Sequence, residues 1–114
     1  MNATIKALKE RRWKESMAHS SWQIFKIMAE FVDGFEALAK IGPCISVFGS
    51  ARTKPDTHYY DLTIEIARKL AEEGFGIITG GGPGIMEAAN KGAALANCKS
   101  VGLNIDLPVE QRPN

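Results

Sequence analysis

The sequence predicts an α/β domain with a parallel β-sheet, preceded by a helical extension. Three observations predict this fold class. Only helical spacing is found before residue 42, short β-branched runs alternate with helical segments after residue 43, and seven of the eleven glycines lie between residues 74 and 92. The chain has 114 residues, of which 45% are hydrophobic and 24% charged, values typical of one globular domain.

Residues 1–42 are predicted to form the helical extension, in two helices. Residues 4–17 indicate a polar helix, and a second helix is predicted to begin at Ser20 or Ser21 and to stop at Gly42–Pro43. Its apolar side chains recur every three or four residues: Trp22, Phe25, Met28, Val32, Phe35 and Leu38. Such a stripe needs a covering surface, either the flank of the domain or another subunit.

Residues 43–114 are predicted to form the first half of a three-layer Rossmann-type domain. The predicted elements are a strand at 44–48, a helix at 57–73 ending at Gly74, a strand at 75–79, a helix at about 84–97 and a strand at 100–105. This order is a βαβαβ unit with right-handed crossovers. A doubly wound fold has about six strands, so we expect its C-terminal half to be missing from this chain.

Charge and cysteine usage exclude several classes of function. Fourteen basic and thirteen acidic residues give a net charge of +1, which does not favour nucleic acid or a membrane as partner. Cys44 and Cys98 are far apart and lie in apolar segments, so we expect buried free thiols and no metal site. No apolar stretch is long enough to span a bilayer and no targeting segment is found, so a cytoplasmic location is expected.

Two loops carry the residues predicted to bind a ligand, because ligands of parallel sheets bind at the carboxyl ends of the strands. The first loop consists of Gly49, Ser50, Ala51 and Arg52, in which small residues admit an anion, Ser50 offers a hydroxyl and Arg52 offers a guanidinium. A tight turn with an exposed arginine is the alternative interpretation.

The second loop, which we call the glycine loop, consists of Thr79, Gly80, Gly81, Gly82, Pro83 and Gly84. Pro83 is predicted in the first helical turn, so the glycine backbone would present an anion to the helix N-terminus. The alternative is a turn required only for helix–strand packing. The spacing matches neither GxGxxG nor GxxxxGK[ST], which favours a mononucleotide or sugar phosphate over NAD or ATP.

Three further candidates open the helix that follows: Met86, Glu87 and Asn90. Glu87 is placed to bond ribose hydroxyls, although an acid near a helix start that pairs with Lys91 explains it equally well. The alanines of this helix, Ala88, Ala89, Ala93, Ala94 and Ala96, are predicted to be close-packing positions.

The segments SVFGSAR (46–52) and TGGGPGIMEAANKGA (79–93) resemble the LOG (Lonely Guy) family of cytokinin riboside 5′-monophosphate phosphoribohydrolases, often labelled lysine decarboxylases. The resemblance covers roughly residues 42–114. It implies hydrolysis of the N-glycosidic bond of a nucleoside monophosphate such as AMP, without a cofactor, in a dimer or larger homo-oligomer. It also implies that the first loop, Gly80 to Gly84, Met86, Glu87 and Asn90 contact the nucleotide.

The sequence departs from this family in one motif. PGGxGTxxE, whose glutamate is taken as catalytic in the family, is absent from the 114 residues. Stabilising an oxocarbenium-like transition state requires a carboxylate. We therefore expect no complete catalytic set here, with Glu87 as a possible contributor, and little turnover by this chain alone. A non-hydrolytic carrier, resembling the molybdenum-cofactor carrier proteins, is the alternative function.

Overall fold

The computed structural model describes residues 2–105 and 112–114, in two units at residues 1–40 and 41–114. The first unit is the helix α1 (Ala3–Leu38). The side chain of Asn2 caps it by accepting a hydrogen bond from the Thr4 N–H at 2.9 Å. None of its residues is buried, so this unit does not itself cover its apolar side chains.

The prediction of two helices in the extension is wrong, because α1 is continuous. Ser20 and Ser21, predicted to begin a second helix, lie inside it. No proline occurs before Pro43 and the first glycine is Gly34, while serine costs a helix interior only about 0.5 kcal/mol relative to alanine. The helix therefore has no reason to break near residue 20, and it stops before Gly42, whose φ is +76°.

The second unit is a βαβαβ unit, which confirms the predicted fold class. Its elements are β1 (Cys44–Ser46), α2 (His58–Glu72), β2 (Gly76–Thr79), α3 (Ile85–Leu95) and β3 (Ser100–Gly102). The strands are parallel in the order β1-β2-β3, with Ile45 opposite Ile77 and Ile78 opposite Val101. Because both crossovers run in the same direction and α2 packs against α3, the helices form one layer beside the sheet.

Both helices of this unit end in a Schellman motif. After α2, Gly74 has φ +96° and its N–H bonds the Ala71 carbonyl at 3.0 Å, while the Phe75 N–H bonds the Leu70 carbonyl at 3.2 Å. The prediction that Gly74 terminates this helix is confirmed. After α3 the same left-handed position is held by Asn97, at φ +54°.

The core of the second unit is built mainly from small side chains. Its buried cluster is Ala67, Ile77, Ala89 and Ala93, against which Ile45, Val47 and Leu70 pack. At Gly92 an added Cβ would lie 2.5 Å from the Ile64 carbonyl oxygen, so this glycine permits the close approach of α3 to α2. Of the predicted packing alanines, 88, 89 and 93 are buried and 96 is half-buried, but Ala94 is exposed.

The two cysteines are free, as predicted, but only half-buried. The Sγ atom of Cys44 faces the Gly42 carbonyl at 3.5 Å, and that of Cys98 faces the Phe75 carbonyl at the same distance. They lie at the amino-terminal ends of the strands, Cys44 at the start of β1 and Cys98 two residues before β3. This edge is opposite to the one that carries the predicted site.

Candidate functional site

The first loop and the glycine loop meet at the carboxyl edge of the sheet. The Ile85 N–H donates a hydrogen bond to the Ser50 carbonyl at 3.0 Å. A Cβ on Gly84 would collide with the Ser50 carbonyl oxygen, and one on Gly49 would lie 2.5 Å from Cγ2 of Ile85. Glycine is therefore required on both sides of this contact, which joins the loops into one surface.

The glycine loop has a backbone conformation that other residues rarely adopt. Gly81 and Gly84 both have φ +75°. Helix α3 begins at Ile85 with Gly84 as its N-cap, so Pro83 precedes the helix and is exposed instead of lying in the first turn. The positive φ of Gly84 turns the chain from the glycine loop into α3, at the point where it approaches Ser50 and Ala51.

Several N–H groups of the glycine loop have no hydrogen-bond partner among the described residues, although Gly82 and Gly84 are themselves buried. The Gly81 N–H donates to Oγ1 of Thr79 at 3.0 Å. Within the described residues, the N–H groups of Gly80, Gly82 and Gly84 donate no hydrogen bond to another protein group. These donors lie beside the N-terminus of α3, where the helix dipole favours negative charge by about 0.3–1 kcal/mol at exposed positions.

Asn90 is a buried hub behind the glycine loop. Its Oδ1 accepts a hydrogen bond from the Thr79 hydroxyl at 2.6 Å, and its Nδ2 donates to Oγ of Ser100 at 3.0 Å and to the Val101 carbonyl at 3.2 Å. The glycine loop, α3 and β3 are thereby tied to one side chain.

Asn114 extends this network. Its Nδ2 lies 3.0 Å from Oδ1 of Asn90 and donates to the Gly82 carbonyl at 2.8 Å, and its backbone N–H bonds the Gly81 carbonyl at 3.0 Å. Both amide protons and both lone-pair positions of Asn90 are thus used inside the protein. The structure therefore gives Asn90 a positioning role, whereas the resemblance predicts direct contact with the nucleotide.

Glu87 and Tyr60 lie in the first turns of α3 and α2, at the same edge of the sheet. Burial of Tyr60 and, to a lesser degree, the nearby Glu87 carboxylate raise the pKa of the Tyr60 phenol above its ordinary value of 10.0. The phenol is therefore a hydrogen-bond donor at neutral pH. Among the ion pairs of the described residues there is none between Glu87 and Lys91, so the half-buried Glu87 is not used by that pair.

The remaining predicted residues line the two loops. Met86 packs over the glycine loop, since a Cβ on Gly82 would lie 2.6 Å from its Cε atom. Ser50 accepts a hydrogen bond from the Arg52 N–H at 3.1 Å through its Oγ, which leaves the hydroxyl proton to donate elsewhere. Ala51 and Arg52 are exposed, and the guanidinium of Arg52 is in none of the ion pairs of the described residues.

Sequence reasoning missed four residues at this edge. Phe48 lies two residues after β1, has 69% of its surface exposed and lies beside Gly80. Tyr60 is buried in the first turn of α2. Asn104 and Arg112 line a pocket of about 170 Å³ with Gly80, Gly81 and Gly82. An aromatic residue at the end of the predicted strand 44–48 was a usable signal for Phe48. Arg112 reaches the glycine loop only through the tertiary fold.

Residues 2–105 and 112–114 hold no group of three histidine, cysteine or acidic side chains suited to a metal ion. In the same part of the chain, no helix has both the length and the apolar character needed to cross a membrane.

A parallel βαβαβ unit with two strand-end loops joined around a glycine backbone defines a Rossmann-like protein of the nucleotide-related class. The comparison with known families agrees, because residues 42–113 match the SLOG cluster4 family, and the chain belongs to that family. Membership relates it to LOG-type proteins and supports a nucleotide-related function in the broad sense. A search of curated proteins finds no match.

Proposed function

We propose that this chain supplies the binding site of a LOG-type phosphoribohydrolase, which hydrolyses the N-glycosidic bond of a purine nucleoside 5′-monophosphate to the free base and ribose 5-phosphate. The observation that carries the proposal is the junction of the two loops. The hydrogen bond from the Ile85 N–H to the Ser50 carbonyl holds the glycine loop, with its unengaged N–H groups, beside the first loop and its Arg52.

The phosphate is assigned to the N–H groups of Gly82 and Gly84 and to the guanidinium of Arg52. Hydrogen bonds to charged groups contribute about 1.5–3 kcal/mol each, so these donors suffice for a dianionic phosphate. Arg52 is exposed and free to turn toward the anion. The helix dipole of α3 adds to this attraction.

The purine base is assigned to the exposed ring of Phe48. This ring lies beside Gly80 and belongs to the residue directly before the first loop. Stacking of a base on an aromatic side chain contributes about 1–3 kcal/mol.

The ribose lies between these two groups in the proposal, within reach of Glu87. The Glu87 carboxylate accepts hydrogen bonds from ribose hydroxyls and stabilises positive charge that develops on the sugar as the bond to the base breaks. The Tyr60 phenol, which stays protonated at neutral pH, donates to the same carboxylate or to the sugar. Water is the second substrate, and no cofactor is required.

Calorimetric titration with AMP, adenosine and ribose 5-phosphate tests the binding assignments separately. Arg52→Ala should raise the dissociation constants of AMP and ribose 5-phosphate at least tenfold and leave that of adenosine unchanged. Phe48→Ala should raise the dissociation constants of AMP and adenosine at least fivefold but leave that of ribose 5-phosphate unchanged. Arg68→Ala is the matched control, because Arg68 lies on the exposed surface of α2 in a pair with Glu72. Equal losses for all three ligands would contradict the assignments.

Adenine release from AMP, followed chromatographically, tests the reaction. Turnover that falls in Glu87→Gln without loss of AMP affinity supports the phosphoribohydrolase. Tight AMP binding, with no more adenine release than from Glu87→Gln, favours the non-hydrolytic carrier instead.

A further inference from the structure

Helix α1 exposes large apolar side chains on more than one side, among them Trp22, Phe25 and Val32. One stripe of them runs from Trp13 to Phe35 and shares only Met28 and Phe35 with the stripe described from the sequence. The stripe consists of large side chains at spacings of four, seven, four, three and four residues, which is the spacing of one helical face: Trp13, Met17, Ile24, Met28, Phe31 and Phe35. Each of these side chains is between 50% and 71% exposed. The rings of Phe31 and Phe35 are 6.5 Å apart, so these neighbours do share a side of the helix. The stripe is about 33 Å long at 1.5 Å per residue.

The charges of α1 are separated along its length. Residues 3–20 contain five basic and two acidic side chains, whereas residues 21–38 contain one basic and three acidic ones. The first half therefore has a net charge of +3 and the second half a net charge of −2. A helix with this distribution attracts a second identical helix in the antiparallel orientation and repels it in the parallel one.

We propose that the apolar stripe of α1 docks against the same stripe of a second copy of this chain, with the two helices antiparallel. The stripe is centred on Ile24, so antiparallel packing about that residue sets Trp13 level with Phe35 of the second copy and Met17 level with Phe31. The same register brings Arg12 level with Glu36 at both ends. A face that pairs with itself through a two-fold axis is the isologous contact of symmetric dimers.

Sedimentation equilibrium of the full chain tests the association. We expect a species of twice the 12.4-kDa chain mass. Phe31→Asp should raise the dimer dissociation constant at least tenfold, while Leu8→Gln should leave it unchanged. Leu8 is the matched control because it is similarly exposed, at 53%, but lies on the opposite side of α1 from Met17. Circular dichroism checks that both variants keep the helix.

Disulfide trapping tests the orientation, in a background where Cys44 and Cys98 are replaced by alanine. Antiparallel packing predicts that Trp13→Cys does not cross-link to itself, because the two positions are about 33 Å apart. A mixture of Trp13→Cys and Phe35→Cys should cross-link. Charge reversal adds a second test. The triple variant Glu30→Lys, Asp33→Lys, Glu36→Lys should weaken the dimer at least tenfold, and mixing it with the variant Lys9→Glu, Arg11→Glu, Arg12→Glu should restore association.

Three results would overturn the proposal. A monomer at about 100 μM would show that the stripe does not pair with a second copy. A dimer that survives Phe31→Asp would place the interface elsewhere. Self-cross-linking of Trp13→Cys would show a parallel pair.

Discussion

Gly84→Ala should destabilise the second unit by about 2–6 kcal/mol. Two costs add at this position. Gly84 has φ +75° and ψ −128°, a region that is nearly restricted to glycine and costs other residues on the order of 1–3 kcal/mol. The new Cβ would also collide with the Ser50 carbonyl oxygen and lie 3.0 Å from Cα of Ala51, and overpacking of this kind costs about 1–3 kcal/mol.

Gly74→Ala is the matched control for the contact. Gly74 also has a positive φ, +96°, but no atom lies within 4 Å of its added Cβ. This variant should lose only the backbone cost, about 1–2 kcal/mol. The difference between the two variants therefore measures the packing of the glycine loop against the first loop.

Urea denaturation followed by circular dichroism provides the free energies of unfolding, and AMP titration provides the second measurement. Gly84→Ala should move the Ser50 carbonyl away from Ile85 and weaken AMP binding at least tenfold. Gly74→Ala should leave the affinity for AMP unchanged. Equal destabilisation by the two variants would refute the claim that the loops are in contact at Gly84.

Three further predictions follow from buried or unstrained positions. Asn90→Ala should cost about 2–4 kcal/mol in urea denaturation, because it leaves the Thr79 hydroxyl without its 2.6 Å partner in a buried network; a loss below 1 kcal/mol would contradict the hub. The pKa of the Tyr60 phenol is raised in the folded state, so folding holds the phenol proton more tightly than the unfolded chain does. The free energy of unfolding should therefore fall as the pH rises above 10.0. Tyr60→Phe should reduce that fall between pH 9 and 11, while Tyr59→Phe, at a position 69% exposed, should not. Gly34→Ala should stabilise α1 by about 0.5–1 kcal/mol in thermal unfolding, because no atom lies within 4 Å of the new methyl group; a lower melting temperature would refute this.

The fold of residues 41–114 was predictable because its signals are local. A change of hydrophobic period near Pro43 and the left-handed Gly74 both depend on neighbouring residues only, and both correspond to observed features. Strand ends were predicted less well. The apolar runs continue to Phe48 and Ile105, but β1 stops at Ser46 and β3 at Gly102, because pairing depends on a partner strand.

In the helical extension, by contrast, local sequence preference led to a wrong prediction. Ser20 and Ser21 are good N-caps, and this local preference predicted a helix start that does not exist. A serine caps a helix only where the residues before it are not helical. The residues before Ser20 are helical, so Ser20 and Ser21 lie inside α1.

The candidate site was predictable as two loops but not as a network. Arg52 and the glycine loop follow from chain position at strand ends. The roles of Asn90 and Tyr60 do not. Asn90 bonds Asn114, 24 positions away, and the pKa of Tyr60 is raised by burial and by the charge of Glu87, 27 positions away. Sequence spacing predicts such contacts only within a helix or between paired strands.

The alanine-rich interior makes the second unit respond asymmetrically to mutation. Removing atoms from Ala67, Ala89 or Ala93 takes away a single methyl group, whereas adding even one at Gly92 pushes α3 away from α2. Natural variation in this unit should therefore be limited by maximum side-chain size at the helix contact, and hydrophobicity alone should predict poorly which substitutions are tolerated. A library that randomises Ala67, Ala89, Ala93 and Gly92 should yield folded variants containing glycine, alanine and serine, with larger apolar residues excluded.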